Sequence, residues 1–219
     1  MALDEAEQAS TLCVSTLVAF MRSFPSLARK FYSECEKVMQ EAVMPYIKQV
    51  VSPSVLEHEI KKIEVAQSLG GALNDQLSFQ LFKSTKEIFA TYRKGEIEMQ
   101  LKIRIPPDYP LKSVDVEVSK QLKLSETQLR KWILAIKKIL QMQNGDIITA
   151  VLKWKENIEK ETEGVEQCFI CYCVVNDVDS SLPKMPCKTC KNKFHAACIR
   201  KWFRSSNKSN CPLCQNYFF

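Results

Sequence analysis

The sequence predicts an α+β chain in three parts, and three observations carry that expectation. Apolar residues recur at helical spacing over residues 1–60, strict alternation replaces that rhythm near residue 97, and eight of ten cysteines gather between Cys168 and Cys214. With 219 residues, 46% of them hydrophobic, the chain can bury an ordinary core in one or two domains.

The first part reads as helices. Cys13, Leu17, Phe20 and Phe24 are spaced by four, three and four, and Leu27, Phe31, Cys35, Val38 and Ala42 continue the rhythm. Pro25 suits the first turn of a second helix, whereas Pro45 and Pro53 interrupt or end the helical stretch after it. Cys13 and Cys35 are expected as small core residues. Apolar faces of this length need a partner, so residues 1–60 are expected to cap a larger helical array.

The middle part, residues 61–160, changes period. In "EIEMQLKIRI", Ile97, Met99, Leu101, Ile103 and Ile105 alternate with polar residues, giving a strand with one buried and one wet face. "LSFQLF" and "EIFATY" supply two strands before it, with Arg93, Lys94 and Gly95 as the turn. Val114, Val116 and Val118 supply a fourth. Helical spacing then returns through Leu129, Trp132, Ile133, Ile136 and Leu140, and again from Ile147 to Leu152. Between the third and fourth strands, "IPPDYPL" is expected to cross in an extended, non-helical form. Lys102 and Arg104 fit a solvated sheet face, with phosphate contacts as the alternative. Residues 161–167 read as a linker.

The tail, residues 168–219, is organised by its ligands. Cys168-x2-Cys171-x15-Cys187-x2-Cys190-x4-His195-x2-Cys198-x12-Cys211-x2-Cys214 offers four pairs, enough for two closed tetrahedral zinc sites. Closed sites leave no position for a water, so they are structural. A segment this short folds on metal-binding energy. Cys173 breaks the x2 spacing and is expected as a free, packed thiol. His58, beside Glu57 and Glu59, is expected on the surface.

The formal net charge is +6. Seven thiolates on two zinc ions would lower it to about +3, a balance compatible with a nucleoprotein partner but not evidence for one. The N-terminus begins acidic, unlike a secretory signal, and no run reaches 18 apolar residues. A cytosolic or nuclear setting with reduced thiols is therefore expected.

The middle part resembles the RWD family, on its order of helix, strands and helices and on Tyr109–Pro110 after the third strand. That family shares the fold of ubiquitin-conjugating enzymes. Residues 36–167 contain no cysteine, so a thioester is excluded here and a binding module is expected. The ligand order of the tail occurs in both PHD fingers and RING domains. PHD fingers usually place a tryptophan where this chain has Ser209, whereas "FHAACIRKW" and "CPLC" resemble RING domains. That resemblance implies cross-bracing, with Cys168, Cys171, His195 and Cys198 on one zinc ion and Cys187, Cys190, Cys211 and Cys214 on the other. It also implies that Ile170, Trp202 and Pro212, extended by Leu213, dock a ubiquitin-conjugating enzyme. Gln215 stands where many RING ligases carry an arginine that bridges to ubiquitin.

At full length, "WFRSSNKSNCPLC" with "QNYFF" behind it resembles the C-terminal region of the large RING ubiquitin ligases of ribosome-associated quality control, an RWD domain and a RING preceded by HEAT-type repeats. The resemblance implies a cytoplasmic ligase with no covalent intermediate on this chain. Its partners would be a charged conjugating enzyme, ubiquitin, the large (60S) ribosomal subunit and a quality-control factor bound to the nascent chain, with no membrane and no direct DNA binding. Its substrates would be stalled nascent chains, with the RWD domain on the ribosome. Two other readings stay open, a PHD-like peptide reader and a zinc scaffold of weak activity.

Overall fold

The structure, a computed structural model, describes residues 2–68, 76–120 and 122–219. Four helical stretches come first: α1 (Ala2–Ser23), α2 (Pro25–Glu34), α3 (Lys37–Tyr46) and α4 (Ser52–Ser68). Pro25 opens α2 as expected. Pro45 and Pro53 do not end the helix. The chain runs from α3 into α4 through a π-helical turn at Ile47–Val51, where the Ser52 N–H bonds the Ile47 carbonyl. Proline lacks an N–H and crowds the carbonyl four residues back, and a wider turn between the two prolines accommodates both. The helical part therefore extends to Ser68 rather than stopping at 60.

The sheet forms as the alternation predicts. Strands β1 (Leu77–Phe82), β2 (Glu87–Lys94), β3 (Ile97–Arg104) and β4 (Asp115–Lys120) pair in sequence order, all antiparallel. Lys94 pairs with Ile97, so Arg93 and Lys94 belong to β2 and the turn is Gly95–Glu96 alone. Gly95 has φ +57°, a conformation that two-residue hairpin loops favour and that glycine takes without strain. Ile88, Ala90, Tyr92, Met99, Leu101 and Ile103 face inward. On the wet face Lys102 and Arg104 both bond Glu87, at 2.8 and 3.2 Å. The crossing at residues 106–112 is coiled rather than extended. Tyr109 N–H bonds the Pro106 carbonyl in a turn with Pro107 second, and Leu111 N–H bonds the Asp108 carbonyl in a turn whose third residue, Pro110, follows a cis bond.

Helices α5 (Glu126–Met142) and α6 (Ile147–Thr162) cover the inner face, burying Trp132, Ile136, Trp154 and Ile158. Each starts on a side-chain cap, Ser125 and Asp146. Gly145 before α6 is required by contact, since a Cβ there would lie 2.4 Å from a side-chain carbon of Ile139. The N-terminal helices join the same core through Ile47, Val51, Val55 and Ile63. Arg29 of α2 fastens them, donating to the carbonyls of Pro110, Leu140 and Gln141 at 2.6–3.1 Å and so capping the end of α5. Farther out the apolar faces are bare. Cys13 is exposed and Cys35 only half-buried, contrary to the core placement expected for both, because α1–α3 present Leu12, Phe31, Val38 and Met39 to solvent.

Asp146 ties the helical part to the sheet domain. Its carboxylate accepts from Thr149 N–H and hydroxyl and pairs with Lys62 of α4 at 3.1 Å. Burial pushes this carboxyl up, but those partners hold it below its ordinary value. A depressed folded pKa contributes stability that is present above the unfolded pKa, roughly 3.9, and lost as pH falls through the folded one. Asp146→Ala should therefore cost about 1 kcal/mol at pH 7. In urea titrations at several pH values, that cost should shrink on acidification below about pH 4.

Candidate functional site

The tail is built from one local device used three times. At Cys168–Cys171, Cys187–Cys190 and Cys211–Cys214 the residue after the second cysteine donates its N–H to the carbonyl of the first, from Tyr172 at 2.7 Å, Lys191 at 3.1 Å and Gln215 at 3.1 Å. In return each first cysteine's N–H bonds the carbonyl five residues on, at Cys173, Asn192 and Asn216, at 2.8–3.0 Å. Closing so tight a loop forces a left-handed residue, and Tyr172, Lys191 and Gln215 have φ of +58°, +63° and +61°. The result turns both sulfurs of each pair towards one point.

The fourth pair is made differently. A short hairpin, β5 (Met185–Pro186) and β6 (Lys193–Phe194), leads into α7 (Ala196–Ser206), and His195 is its N-cap residue. Cys198 lies at the third position of the same helix, so the two ligands share its first turn.

The ligand atoms gather into the two expected groups: Cys168, Cys171, His195 and Cys198 in one, and Cys187, Cys190, Cys211 and Cys214 in the other. Within each group all ligand atoms lie within 4.8 Å of one another. Cys187 and Cys214 sulfurs are 3.8 Å apart, as are those of Cys190 and Cys211. Tetrahedral zinc with Zn–S of about 2.3 Å demands S···S of roughly 3.8 Å, whereas a disulfide demands about 2.05 Å. His195 Nδ1 is 3.3 Å from the Cys171 sulfur and 3.7 Å from that of Cys198. Its Nε2 donates to the Val174 carbonyl at 3.1 Å, which fixes the tautomer and leaves Nδ1 free as a ligand. The groups interleave along the chain, and this donor set fits two structural zinc ions.

The thiols themselves call for a cation. Burial pushes Cys198 up to about 12 and Cys211 up to about 12. Burial also raises Cys187, but N–H bonds from Cys190 and Thr189 outweigh it and bring this thiol to about 7. Four thiols, or three with an imidazole, do not ionise together at neutral pH without a positive charge among them. Cys173 stays outside both groups, its S–H donating to the Cys171 carbonyl, with burial and Glu96 raising its pKa. His58 is half-buried on α4 and also outside them.

Asn176 joins the site without any signal in the sequence. Its buried side chain donates to the Cys198 sulfur at 3.4 Å and accepts from Val178 N–H at 3.0 Å. It supports a ligand from behind, and a lone asparagine in a polar loop carries no spacing pattern that could reveal this.

The remaining site residues lie on the surface of the same module. Ile170 is half-buried within the first cysteine loop and Pro212 half-buried within the last. Trp202 on α7 is partly buried, its indole N–H bonded to the Asn210 carbonyl at 3.0 Å, which pins the ring beside that last loop. Leu213 is 44% exposed. The Gln215 amide reaches back to the Pro212 carbonyl at 3.3 Å. Behind them Phe194, Phe203 and Phe218 form an aromatic core with ring centroids 5.5–5.8 Å apart.

Comparison with known proteins agrees with this arrangement. Residues 166–215 match the family described as Ring finger domain, residues 77–161 the family described as Ubiquitin conjugating domain-like, and residues 2–64 the LTN1 family HEAT repeat region. The chain is 37% identical to the E3 ubiquitin-protein ligase listerin of Gallus gallus over 91% of its own length and 11% of that protein's. The Mus musculus listerin gives the same figures. The Saccharomyces cerevisiae listerin is 30% identical over 83% of this chain and 12% of its own length. The chain thus spans only about a ninth of the relatives it matches. With an RWD-type sheet domain, a cross-braced pair of zinc groups and three concordant family matches in one order, the chain belongs to the listerin family and corresponds to its C-terminal RWD–RING region.

Proposed function

We propose that this chain is the ubiquitin-transferring end of a RING-type ligase and that it works by positioning. The RING holds a ubiquitin-charged conjugating enzyme so that a substrate lysine reaches the thioester, and no nucleophile on this chain takes part. The observation that carries this reading is the placement of Ile170, Trp202 and Pro212, apolar residues set on the two ligand loops and the helix of one zinc-fitted module. The zinc ions supply rigidity alone. Through family membership the reading extends to its setting in the cytosol. There the RWD domain docks on the large (60S) ribosomal subunit, beside a quality-control factor bound to the nascent chain, and the RING ubiquitinates stalled nascent chains.

The test is lysine discharge from a ubiquitin-loaded, promiscuous conjugating enzyme, with zinc content verified at two per chain. The parent should accelerate discharge. Trp202→Ala should lower the rate about thirtyfold or more, as loss of an aromatic interface anchor does, and Ile170→Ala should also lower it. Gln215→Arg should raise it several-fold, because a charge-assisted bond is stronger than that of a neutral amide. No acceleration by a fully metallated parent would leave a peptide reader or an inert scaffold.

A further inference from the structure

The RING and the sheet domain meet along residues 173–182, the loop that leaves the first cysteine pair. The sheet domain grips this loop at three points. Glu96, in the β2–β3 turn, accepts the N–H groups of both Val174 and Val175 on one carboxylate oxygen, at 2.6 and 3.0 Å. Lys123 donates its backbone N–H to the Ser180 carbonyl and its ammonium to Asp179, at 2.9 and 2.7 Å. Leu182 is buried in the core that also contains the sheet. The same loop supports the first zinc group. The Val174 carbonyl accepts from His195 Nε2, and the Asn176 amide donates to the Cys198 sulfur. One residue, Val174, therefore has its N–H on the sheet domain and its carbonyl on a zinc-ligand imidazole.

We infer that Glu96 is a positioning residue that fixes the RING on the sheet domain and couples this docking to the first zinc site. Two successive N–H groups converging on one anionic oxygen form a concave anion seat, and such bonds are stronger than neutral ones. The loop cannot leave Glu96 without displacing the carbonyl that orients His195. The coupling is reciprocal, so zinc in the first site favours docking by the same factor by which docking favours zinc. Towards the second zinc group the tie is looser, an ion pair between the exposed Lys184, three residues before Cys187, and Glu161 of α6. In terms of the ligase reading, on which this consequence rests, Glu96 sets the angle at which a conjugating enzyme is presented relative to whatever the sheet domain binds.

The test uses the zinc-loaded chain as parent, Glu96→Ala and Glu96→Gln, with two readouts that need no ubiquitin. Residual dipolar couplings report the relative orientation of the two domains, and a chromogenic chelator reports zinc release. The parent should fit one alignment tensor. Glu96→Ala should need two and should release one of its two zinc ions roughly tenfold faster, the other at the parental rate. Glu96→Gln keeps an oxygen able to accept both N–H groups, so it should retain the single tensor and most of the parental kinetics. Glu96 is exposed on a turn, and the sheet amide spectrum verifies that the variants stay folded. A single tensor with parental release in Glu96→Ala overturns the inference. Equal acceleration of both ions also overturns it, because it marks general weakening of the tail. Either result leaves the discharge assay to be judged separately.

Discussion

Stripping both zinc ions with a strong chelator should unfold residues 168–219 and leave the sheet domain intact. The apolar cluster of the tail rests on Phe194, Ile199 and Phe218 with the ligand cysteines themselves, too little to hold a segment of this size. Structural zinc contributes about 10–16 kcal/mol in comparable small modules. Hydrogen exchange should therefore show α7 amides losing protection while those of β2 and β3 keep it. Cys187→Ser should lower metal content from two ions per chain to one or fewer, because both groups share the loops between them. Retained protection in α7 after metal loss would show that the aromatic cluster folds the tail unaided.

The second large effect lies in the sheet domain. Trp154 is fully buried on α6, and its indole N–H has no partner among the described residues. Trp154→Ala should cost about 3–5 kcal/mol, read from the urea midpoint. Trp154→Phe should cost far less than half of that, since it removes an unsatisfied buried donor along with part of the ring. A Phe variant as damaged as the Ala variant would mean that ring volume alone governs this site.

Features set by spacing were legible in the sequence. The strand at Ile97–Arg104 was visible because one face is wet and the other dry at every step, and the zinc groups because eight ligands recur in pairs. Features set by a bond between distant backbone groups left no such trace. Glu96 looks like any wet-face carboxylate until Val174 and Val175 are brought to it, and Asn176 looks like any loop residue until Cys198 is near. Cys13 misled for the complementary reason. Helical periodicity reports an apolar face, not whether that face has been covered.

The π-helical turn at Ile47–Val51 sets how the helices meet the sheet. Buried Ile47, Val51, Val55, Glu59 and Ile63 are spaced four apart. In a plain α-helix each step of four overshoots a full revolution by about 40°, so a stripe of this length would wind off the core. A wider turn takes up more residues per revolution and dials the stripe back, as a vernier does. Deleting one residue there would leave a longer regular helix and swing Ile63 and the Glu59 carboxylate, which holds the N–H of Ile147, away from their seats. The irregular turn is thus the adjustment that lets a helix continuous with one array keep step with the sheet domain beside it.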